Sequence, residues 1–136
     1  MAFDYNNPRV VVCPVTDFAA DGTAIIWRAP VENTAGVTIK NAVVVADTAL
    51  NAGTANGREI RLLNGGTAGT SANAITPYVG TATSGTYAAW VAQTPKSFTL
   101  GTATLASGEY LAVEYNETGT DSWKNLNIIF EFDPGT

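Results

Sequence analysis

Short segments rich in β-branched and aromatic residues alternate with turn-forming residues along the whole chain of 136 residues. This alternation is typical of strands, and no stretch keeps a helical period over three turns. Asp-Gly and Asn-Gly steps at residues 21–22, 56–57 and 64–65 fall between the segments, where tight turns belong. The pattern predicts strands at residues 10–15, 23–29, 37–46, 57–63, 74–81, 86–92 and 97–100, the last short enough for an edge strand or a connection.

Two further strands are the clearest, because their side chains alternate in kind. In EYLAVEY, residues 109–115, the side chains of Leu111, Val113 and Tyr115 point one way while those of Ala112 and Glu114 point the other. We expect the first of these faces in the core and the second in solvent.

The closing segment LNIIFEF, residues 126–132, also has a period of two. Its even-numbered positions are apolar and predict a core face, whereas Asn127, Ile129 and Glu131 lie on the opposite face. An isolated apolar residue on the solvent face is ordinary, but within an apolar patch it would suit a subunit interface. Ile129 is therefore a candidate contact residue.

Eight or nine strands in a chain of this length must stack or close to hide their apolar faces. The sequence predicts an all-β fold: a single-domain, jelly-roll-like β-sandwich of about eight strands. We assign residues 10–136 to this domain and treat residues 1–9, MAFDYNNPR, as an N-terminal arm. Asn6, Asn7 and Pro8 favour an extended conformation in the arm.

Composition and charge narrow the choice of partners. Hydrophobic residues make up 46% of the chain and charged residues 14%, so Thr, Ser, Asn, Gly and Ala must supply much of the surface. The net charge of −5 and the scattered basic residues argue against nucleic acid, which requires clustered Lys and Arg. The longest apolar runs, residues 10–13 and 42–46, are too short to cross a membrane, and no secretion signal is visible, so we expect synthesis in the cytoplasm.

The stretch RLLNGGTAGTSANAI, residues 61–75, resembles a phosphate-binding loop in composition. Such a loop needs a lysine that reaches the phosphates and a helix whose N-terminus faces them. No lysine follows Gly65, Gly66 or Gly69, and Pro77 with its β-branched neighbours opposes a helix. A connection between strands is the favoured interpretation.

Candidates for chemistry are few, because the chain has no histidine. Cys13 lies in the apolar run VVVCPV, where a buried thiol is favoured over a nucleophile. A pair of carboxylates could still hydrolyse glycosides, but Glu114 and Glu131 occupy the polar faces of strands, where a solvated charge is favoured. The carboxylates available for such a pair are Glu109, Glu114, Glu117, Asp121, Glu131 and Asp133. We expect no enzyme activity and no cofactor.

Two acidic turns and a set of aromatic residues leave binding alternatives open. Calcium would suit either turn, one with Asp17 and Asp21 and one with Glu117 and Asp121, although solvated turns are the favoured interpretation. Exposed aromatic rings would form a sugar-stacking platform, but burial in the core or in an interface is favoured for each. The aromatic candidates are Trp27, Trp90, Trp123, Tyr78 and Tyr87.

Three segments resemble those of the small jelly-roll decoration, or cement, proteins of tailed-bacteriophage capsids. REIRLLNGGTAGT, residues 58–70, is similar to their strand that leads through Asn-Gly-Gly-Thr into a Gly/Thr loop. TLASGEYLAVEYNETGT, residues 104–120, is similar to their Gly-acid step before an alternating strand. LNIIFEFDPGT, residues 126–136, resembles their closing strand with its acidic, aromatic and proline tail. The resemblance spans residues 37–136.

The resemblance implies a non-enzymatic virion protein on the outer capsid surface, bound to the major capsid protein between capsomers and stabilising the shell. It implies a homotrimer, while the charge and the short apolar runs predict no nucleic-acid or membrane partner. The N-terminal arm would then lie on the capsid or on a neighbouring subunit, with contacts from Phe3, Tyr5, Asn7 and Arg9. The alternative is a carbohydrate-binding or receptor-binding β-sandwich module of a head fibre or similar surface structure.

Overall fold

The computed structural model describes residues 9–16, 21–53, 57–83, 86–101, 103–117 and 122–134. Strands and turns make up the regular structure of these residues, and no helix among them is long and apolar enough to cross a membrane. The described strands are β1 Arg9–Val15, β2 Gly22–Arg28, β3 Val37–Ala46, β4 Arg58–Asn64, β5 Asn73–Ala74, β6 Val79–Gly80, β7 Ala82–Thr83, β8 Thr86–Tyr87, β9 Lys96–Ser97, β10 Thr104–Leu105, β11 Tyr110–Glu117 and β12 Leu126–Pro134.

The strands form two antiparallel sheets whose order is that of a jelly roll. Sheet A has the order β1-β12-β3-β10, with β9 also beside β3, and sheet B has the order β2-β11-β4-β5, with β6 also beside β4. Since β9 and β10 share one position and β5 and β6 share another, the sandwich has eight strand positions. A separate β7-β8 hairpin accompanies them. The predicted all-β, jelly-roll-like sandwich is confirmed.

The core lies between the two sheets and is built from alternate positions of the long strands. Leu126, Ile128, Phe130 and Phe132 are buried along β12, as their spacing predicts. On β11 the expected core residues are likewise buried, but Ala112, expected to face solvent, is also fully buried. On the outer face of sheet B, Ala112 lies between its register partners Ile25 and Leu63.

The predicted strand at residues 74–81 is wrong in extent, because only its two ends pair with β4 as β5 and β6. Between them the hydroxyl of Thr76 accepts a hydrogen bond from the Leu62 amide at 3.0 Å. The Thr76 side chain thus accepts a hydrogen bond from β4 that the backbone of a continuous neighbouring strand would otherwise accept. The next residue, Pro77, has no amide hydrogen to donate.

The predicted strand at residues 86–92 is also shorter in the structure, where only Thr86 and Tyr87 belong to a strand. Trp90 instead exchanges two backbone hydrogen bonds with Leu50, at 2.8 and 2.9 Å. This segment therefore pairs with the connection after β3. β9 lies at Lys96–Ser97, near the expected residues 97–100, and β10 at Thr104–Leu105 adds a short strand that the pattern did not indicate.

Candidate functional site

The outer face of sheet A carries a row of apolar side chains, here called the valine ridge and formed by Val10, Val12, Val43 and Ile129. Ile129 is half-buried and lies between Val12 on β1 and Val43 on β3 in the strand register. Val10 and Val12 are 66% and 56% exposed on the edge strand. Ile129 thus lies in an apolar patch. This is the arrangement for which the sequence predicts a contact residue.

Two carboxylates flank the valine ridge. Glu131 lies opposite Val10 and accepts a hydrogen bond from the Asn41 amide at 3.3 Å. On the other side, Asp47 accepts a hydrogen bond from the amide of Asn127 at 3.1 Å. Both acids are bonded to neutral amides.

The glycine-rich loop after β4 is held against the start of β11. The amide of Gly65 donates to the Tyr110 carbonyl at 2.8 Å, and the amide of Tyr110 donates to the Gly66 carbonyl at 3.0 Å. The Gly66 amide donates to the side-chain oxygen of Asn64 at 2.8 Å. The loop therefore bends back toward the outer face of sheet B, where Gly69 approaches Ile25, the register partner of Ala112.

These hydrogen bonds occupy four of the backbone amides of the loop. A phosphate cradle needs free backbone amides, but those of Gly65, Gly66, Gly69 and Ser71 all donate within the protein. The loop thus serves as the connection that the sequence favours. Gly69 adopts a φ of 75°, and a Cβ there would lie 2.5 Å from Ile25 Cδ1. Glycine permits both this backbone conformation and this contact.

Between the loop and the sheet lies an open groove of about 430 Å³, here called the hydroxyl groove. Leu63 is fully buried, and Ile25, 51% exposed, forms a wall. No lysine or arginine is among the lining residues, which are Thr23, Ile25, Leu63, Gly69, Thr70, Ser71 and Ala72.

Arginines lie on both sides of the hydroxyl groove. Arg61 Nε is 2.5 Å from Glu114 Oε2, and its guanidinium lies 4.4 Å from the centre of the Tyr78 ring. Arg28 stacks over Tyr110 at 5.2 Å and donates to the Gly108 carbonyl at 3.1 Å. Arg28 is an exposed residue, and its guanidinium contacts a ring and a carbonyl.

Glu114 belongs to this arginine and tyrosine cluster and does not form a catalytic pair with Glu131. Glu114 faces outward from sheet B, whereas Glu131 faces outward from sheet A on the other side of the sandwich. Burial is the main cause that raises the pKa of Tyr78. The hydrogen bond to Glu114 and the negative charge of Glu114 raise this pKa further, whereas the hydrogen bond to Asn116 and the positive charge of Arg61 lower it.

The tryptophans pack inside the protein, as the sequence favours, and do not form a sugar-stacking platform. Trp90 and Trp123 are buried, with ring centres 5.4 Å apart. Trp27 is half-buried against Phe130, with ring centres 5.1 Å apart. Tyr87 is exposed at 49%.

Asp21 and Glu117, the described acids of the two acidic turns, bond to backbone amides. Asp21 Oδ1 accepts from the Glu117 amide at 2.8 Å, and Glu117 Oε1 accepts from the Trp123 amide at 2.7 Å. Asp17 and Asp121 lie outside the described residues. No group of three or more metal-ligating side chains occurs in the part of the chain that the structure describes.

Cys13 is buried, and this burial raises the pKa of its thiol, as expected for an inert core cysteine. The candidate arm contacts Phe3, Tyr5 and Asn7 lie outside the described residues, and Arg9 is the exposed first residue of β1.

Arg58 is a buried residue that the sequence analysis did not single out. Its guanidinium donates to the Ser122 carbonyl at 2.6 Å, to both the carbonyl and side-chain oxygens of Asn51 at 3.0 Å, and to the Thr81 hydroxyl at 3.2 Å. These bonds tie the start of β4 to three connecting segments. The only sequence signal is a basic residue at the start of the apolar strand REIRLL.

The fold is shared with a viral structural chain. The protein superposes on a chain of a solved structure described as "Cyanophage Pam1 capsid asymmetric unit", with a TM-score of 0.54 and 14% sequence identity. The match covers 97% of this chain and 89% of that chain, so it extends over the whole sandwich. The sequence matches no protein-family model and no curated protein.

Proposed function

We propose that this chain is a non-enzymatic structural protein of a phage virion, a decoration or cement protein that binds the outer capsid surface between capsomers and stabilises the shell. The observation that carries this proposal is the shared fold with a chain of a phage capsid assembly over 97% of the length. The partner is the major capsid protein, the assembled form is a homotrimer, and synthesis takes place in the host cytoplasm.

The surface chemistry supports a docking role. Two apolar or weakly charged faces, the valine ridge and the hydroxyl groove, are built on rigid strands of the sandwich. Small Thr, Val, Ala and Ser side chains lose little conformational entropy when they are buried. Many such copies bound together can stabilise a shell through summed contact area.

The N-terminal arm, residues 1–9, supplies a second set of contacts in this proposal. Phe3 and Tyr5 offer aromatic area, and Asn7 and Arg9 offer hydrogen-bond donors to the capsid or to a neighbouring subunit.

Binding to purified phage heads that lack their decoration tests the proposal. We expect the protein to sediment with expanded heads and to saturate at a copy number that matches the capsid symmetry. Removal of residues 1–8 should weaken this binding while leaving the unfolding temperature unchanged. Val91→Asp, a charge at a 66% exposed valine that is not one of the four ridge residues, is the control and should bind as wild type. Failure to bind both immature and expanded heads would contradict the proposal.

A glycan array distinguishes the carbohydrate-binding alternative from the cement function. The cement function predicts that the arrayed glycans do not compete with capsid binding. A glycan that blocks sedimentation with heads would favour the alternative.

A further inference from the structure

The flank of the sandwich between the edge strands β1 and β2 leaves the border of the core partly accessible to solvent. Most of the described apolar residues that are only partly buried against the core lie on these two strands. They are Val11, Ala24, Ile26 and Trp27. A further strand along this flank would remove this apolar surface from water.

The free edge of β1 is interrupted by a proline. The carbonyl of Ala42 on β3 turns away from β12 and accepts from the Phe98 amide at 2.9 Å. Its register partner Phe130 therefore bonds on its other side, to Val11 of β1. The β1 residues whose backbone groups face the free edge are then Val10, Val12 and Pro14. Because proline has no amide hydrogen, this edge cannot donate along its whole length.

The free edge of β2 has no such interruption. The amide of Leu62 on β4 donates to the Thr76 hydroxyl, away from β11. Its register partner Val113 therefore bonds on its other side, to Ala24 of β2. The β2 residues whose amides and carbonyls face the free edge are then Thr23 and Ile25. No described strand lies beside them, so β2 is the edge open to strand addition.

The N-terminal arm enters the sandwich on this same flank. Arg9, the first residue of β1, is the register partner of Phe132, whose ring centre lies 4.8 Å from that of Trp27 on β2. The eight residues before Arg9 span about 26 Å when extended. The arm is therefore long enough to cross to an adjacent copy and lie along its β2.

The arm has the sequence of one further strand. Phe3 and Tyr5 alternate with Asp4, so an extended arm has one apolar face and one polar face. A turn back onto its own subunit is opposed by Pro8, which restricts Asn7 to extended backbone. The arm thus fits the free edge of another copy better than an edge of its own.

We infer that the N-terminal arm of one copy adds as a strand to the free β2 edge of a neighbouring copy. The arm backbone exchanges hydrogen bonds with Thr23 and Ile25, and Phe3 and Tyr5 cover the partly buried Trp27. The inference rests on the proposed function for the number of copies. Since β1 and β2 contact each other, the root of the arm and the edge that receives it lie on one flank. Three such flanks around one axis can pass their arms in a closed ring.

Amide hydrogen exchange, followed residue by residue by NMR, tests the added strand. The amides of Thr23 and Ile25 should exchange at least tenfold more slowly in the assembled wild type than in the chain that lacks residues 1–8. The amides of Val10 and Val12 are the matched control at the other free edge and should change less. Equal exchange of Thr23 and Ile25 in the two chains, or protection confined to β1, would overturn the inference.

Analytical ultracentrifugation tests whether the same contact holds the copies together. We expect a trimer for wild type and a monomer for the chain without residues 1–8. Thr23→Pro removes an outward amide without touching the ladder to β11 and should weaken assembly at least tenfold, with a native circular dichroism spectrum. Val12→Pro, the matched change on β1, should assemble as wild type. A truncated chain that remains a trimer, or a wild type that is monomeric at its highest soluble concentration, contradicts the inference.

The unfolding temperatures of these chains are compared at a concentration at which wild type is dissociated. Truncation should not change the temperature there, because assembly adds stability only at higher concentration.

Cysteine pairs distinguish exchange between copies from a return to the same copy. In a Cys13→Ala background, a chain with Phe3→Cys or Tyr5→Cys is mixed with an Ala24→Cys chain under a mild oxidant. We expect a covalent heterodimer, identified by mass, from at least one arm position. Asp4→Cys is the control and should give much less, since its side chain faces the other way. A disulfide that forms only within one chain carrying both substitutions, or from neither arm position, would sink the inference.

The Thr23→Pro chain also separates this inference from the proposed function, because it keeps its arm. Its sedimentation with heads is measured beside its state of assembly. If Thr23→Pro assembles and binds heads as wild type does, the inference is wrong and the proposed function stands. If wild type assembles through its arms but does not bind heads, only the proposed function is overturned.

Discussion

The carbonyl oxygen of Arg58 lies directly against Gly80, with no space for a Cβ atom on the glycine. This close approach sets β6 beside β4 at the start of the strand, where Arg58 also anchors three connections. The contact is with backbone, so it cannot be relieved by a change of side-chain rotamer.

Gly80→Ala should therefore destabilise the fold by about 3 kcal/mol, the upper range for overpacking a well-filled site. Urea unfolding followed by tryptophan fluorescence measures the change in the free energy of unfolding. Gly101→Ala is the matched control, because its nearest contact would be an ordinary 3.7 Å and it should change stability by less than about 1 kcal/mol. Equal effects at the two positions would contradict the packing described here.

Arg58→Met should destabilise the protein by about 1 to 3 kcal/mol, because the buried hydroxyl oxygen of Thr81 and the partly buried hydrogen bonds to Asn51 and Ser122 would lose their donor. Arg58→Lys should recover only part of this loss, since an ammonium cannot reproduce the planar, multidirectional donor set. Lys124→Met, at an exposed position, is the control and should be nearly neutral. Thermal unfolding at a fixed pH ranks the three variants.

Cys13 should make stability depend on pH on the alkaline side. Its pKa in the folded state is raised above the ordinary value of 9.0 by burial, so the folded protein holds the thiol proton more tightly than the unfolded chain. The contribution is fully present below the unfolded pKa and is lost as the pH rises through the folded pKa. Tyr78, whose pKa is also raised, adds a loss in the same direction above its ordinary value of 10.0.

Unfolding curves measured from pH 7 to 11 check this dependence. Cys13→Ala should flatten the part of the profile that begins near pH 9, leaving the part due to Tyr78. The wild-type thiol should also react with a disulfide reagent only at the rate at which the protein opens. Rapid labelling of the folded protein would show that Cys13 is accessible.

Glu114→Gln should lower the pKa of Tyr78, because the glutamate raises it both by hydrogen bonding and by its charge. Absorbance of the phenolate, read against the Tyr78→Phe variant, isolates the titration of this one side chain. Glu131→Gln is the control, since Glu131 lies on the outer face of the other sheet and should not change the Tyr78 titration. A Tyr78 midpoint that is unmoved by Glu114→Gln would contradict the cluster geometry.

The long strands could be predicted from sequence because their pattern is local. Residues 37–46 were expected as a strand and form β3, and the alternation of residues 126–132 identifies the buried face of β12. The interruption between β5 and β6 could not be predicted in this way. The residues there resemble strand residues, and the interruption depends on the hydroxyl of Thr76, which bonds to the amide of Leu62 on β4, 14 residues away.

The surfaces depend even more on distant parts of the chain. The hydroxyl groove combines β2, β4 and the glycine-rich loop, so no single segment indicates it. Ala112 was expected in solvent, and its register partners Ile25 and Leu63 come from two strands distant in sequence. Arg58 finds its partners 7, 23 and 64 residues away, and an arginine in sequence carries no sign of such a network. By contrast, Ile129 was identifiable because an apolar residue out of phase in a strand is itself a local signal.

The two sides of the sandwich differ in how much continuous backbone they offer to a neighbour. One side ends in the seven-residue strands β1 and β2, whereas the other ends in two-residue pieces separated by turns. Strand-to-strand addition requires a long unpaired edge, so recruitment of extra strands is confined to one flank. On a crowded lattice, where many copies are held side by side, this asymmetry opposes runaway fibre growth, because a chain that joined one flank would present only broken strands beyond it.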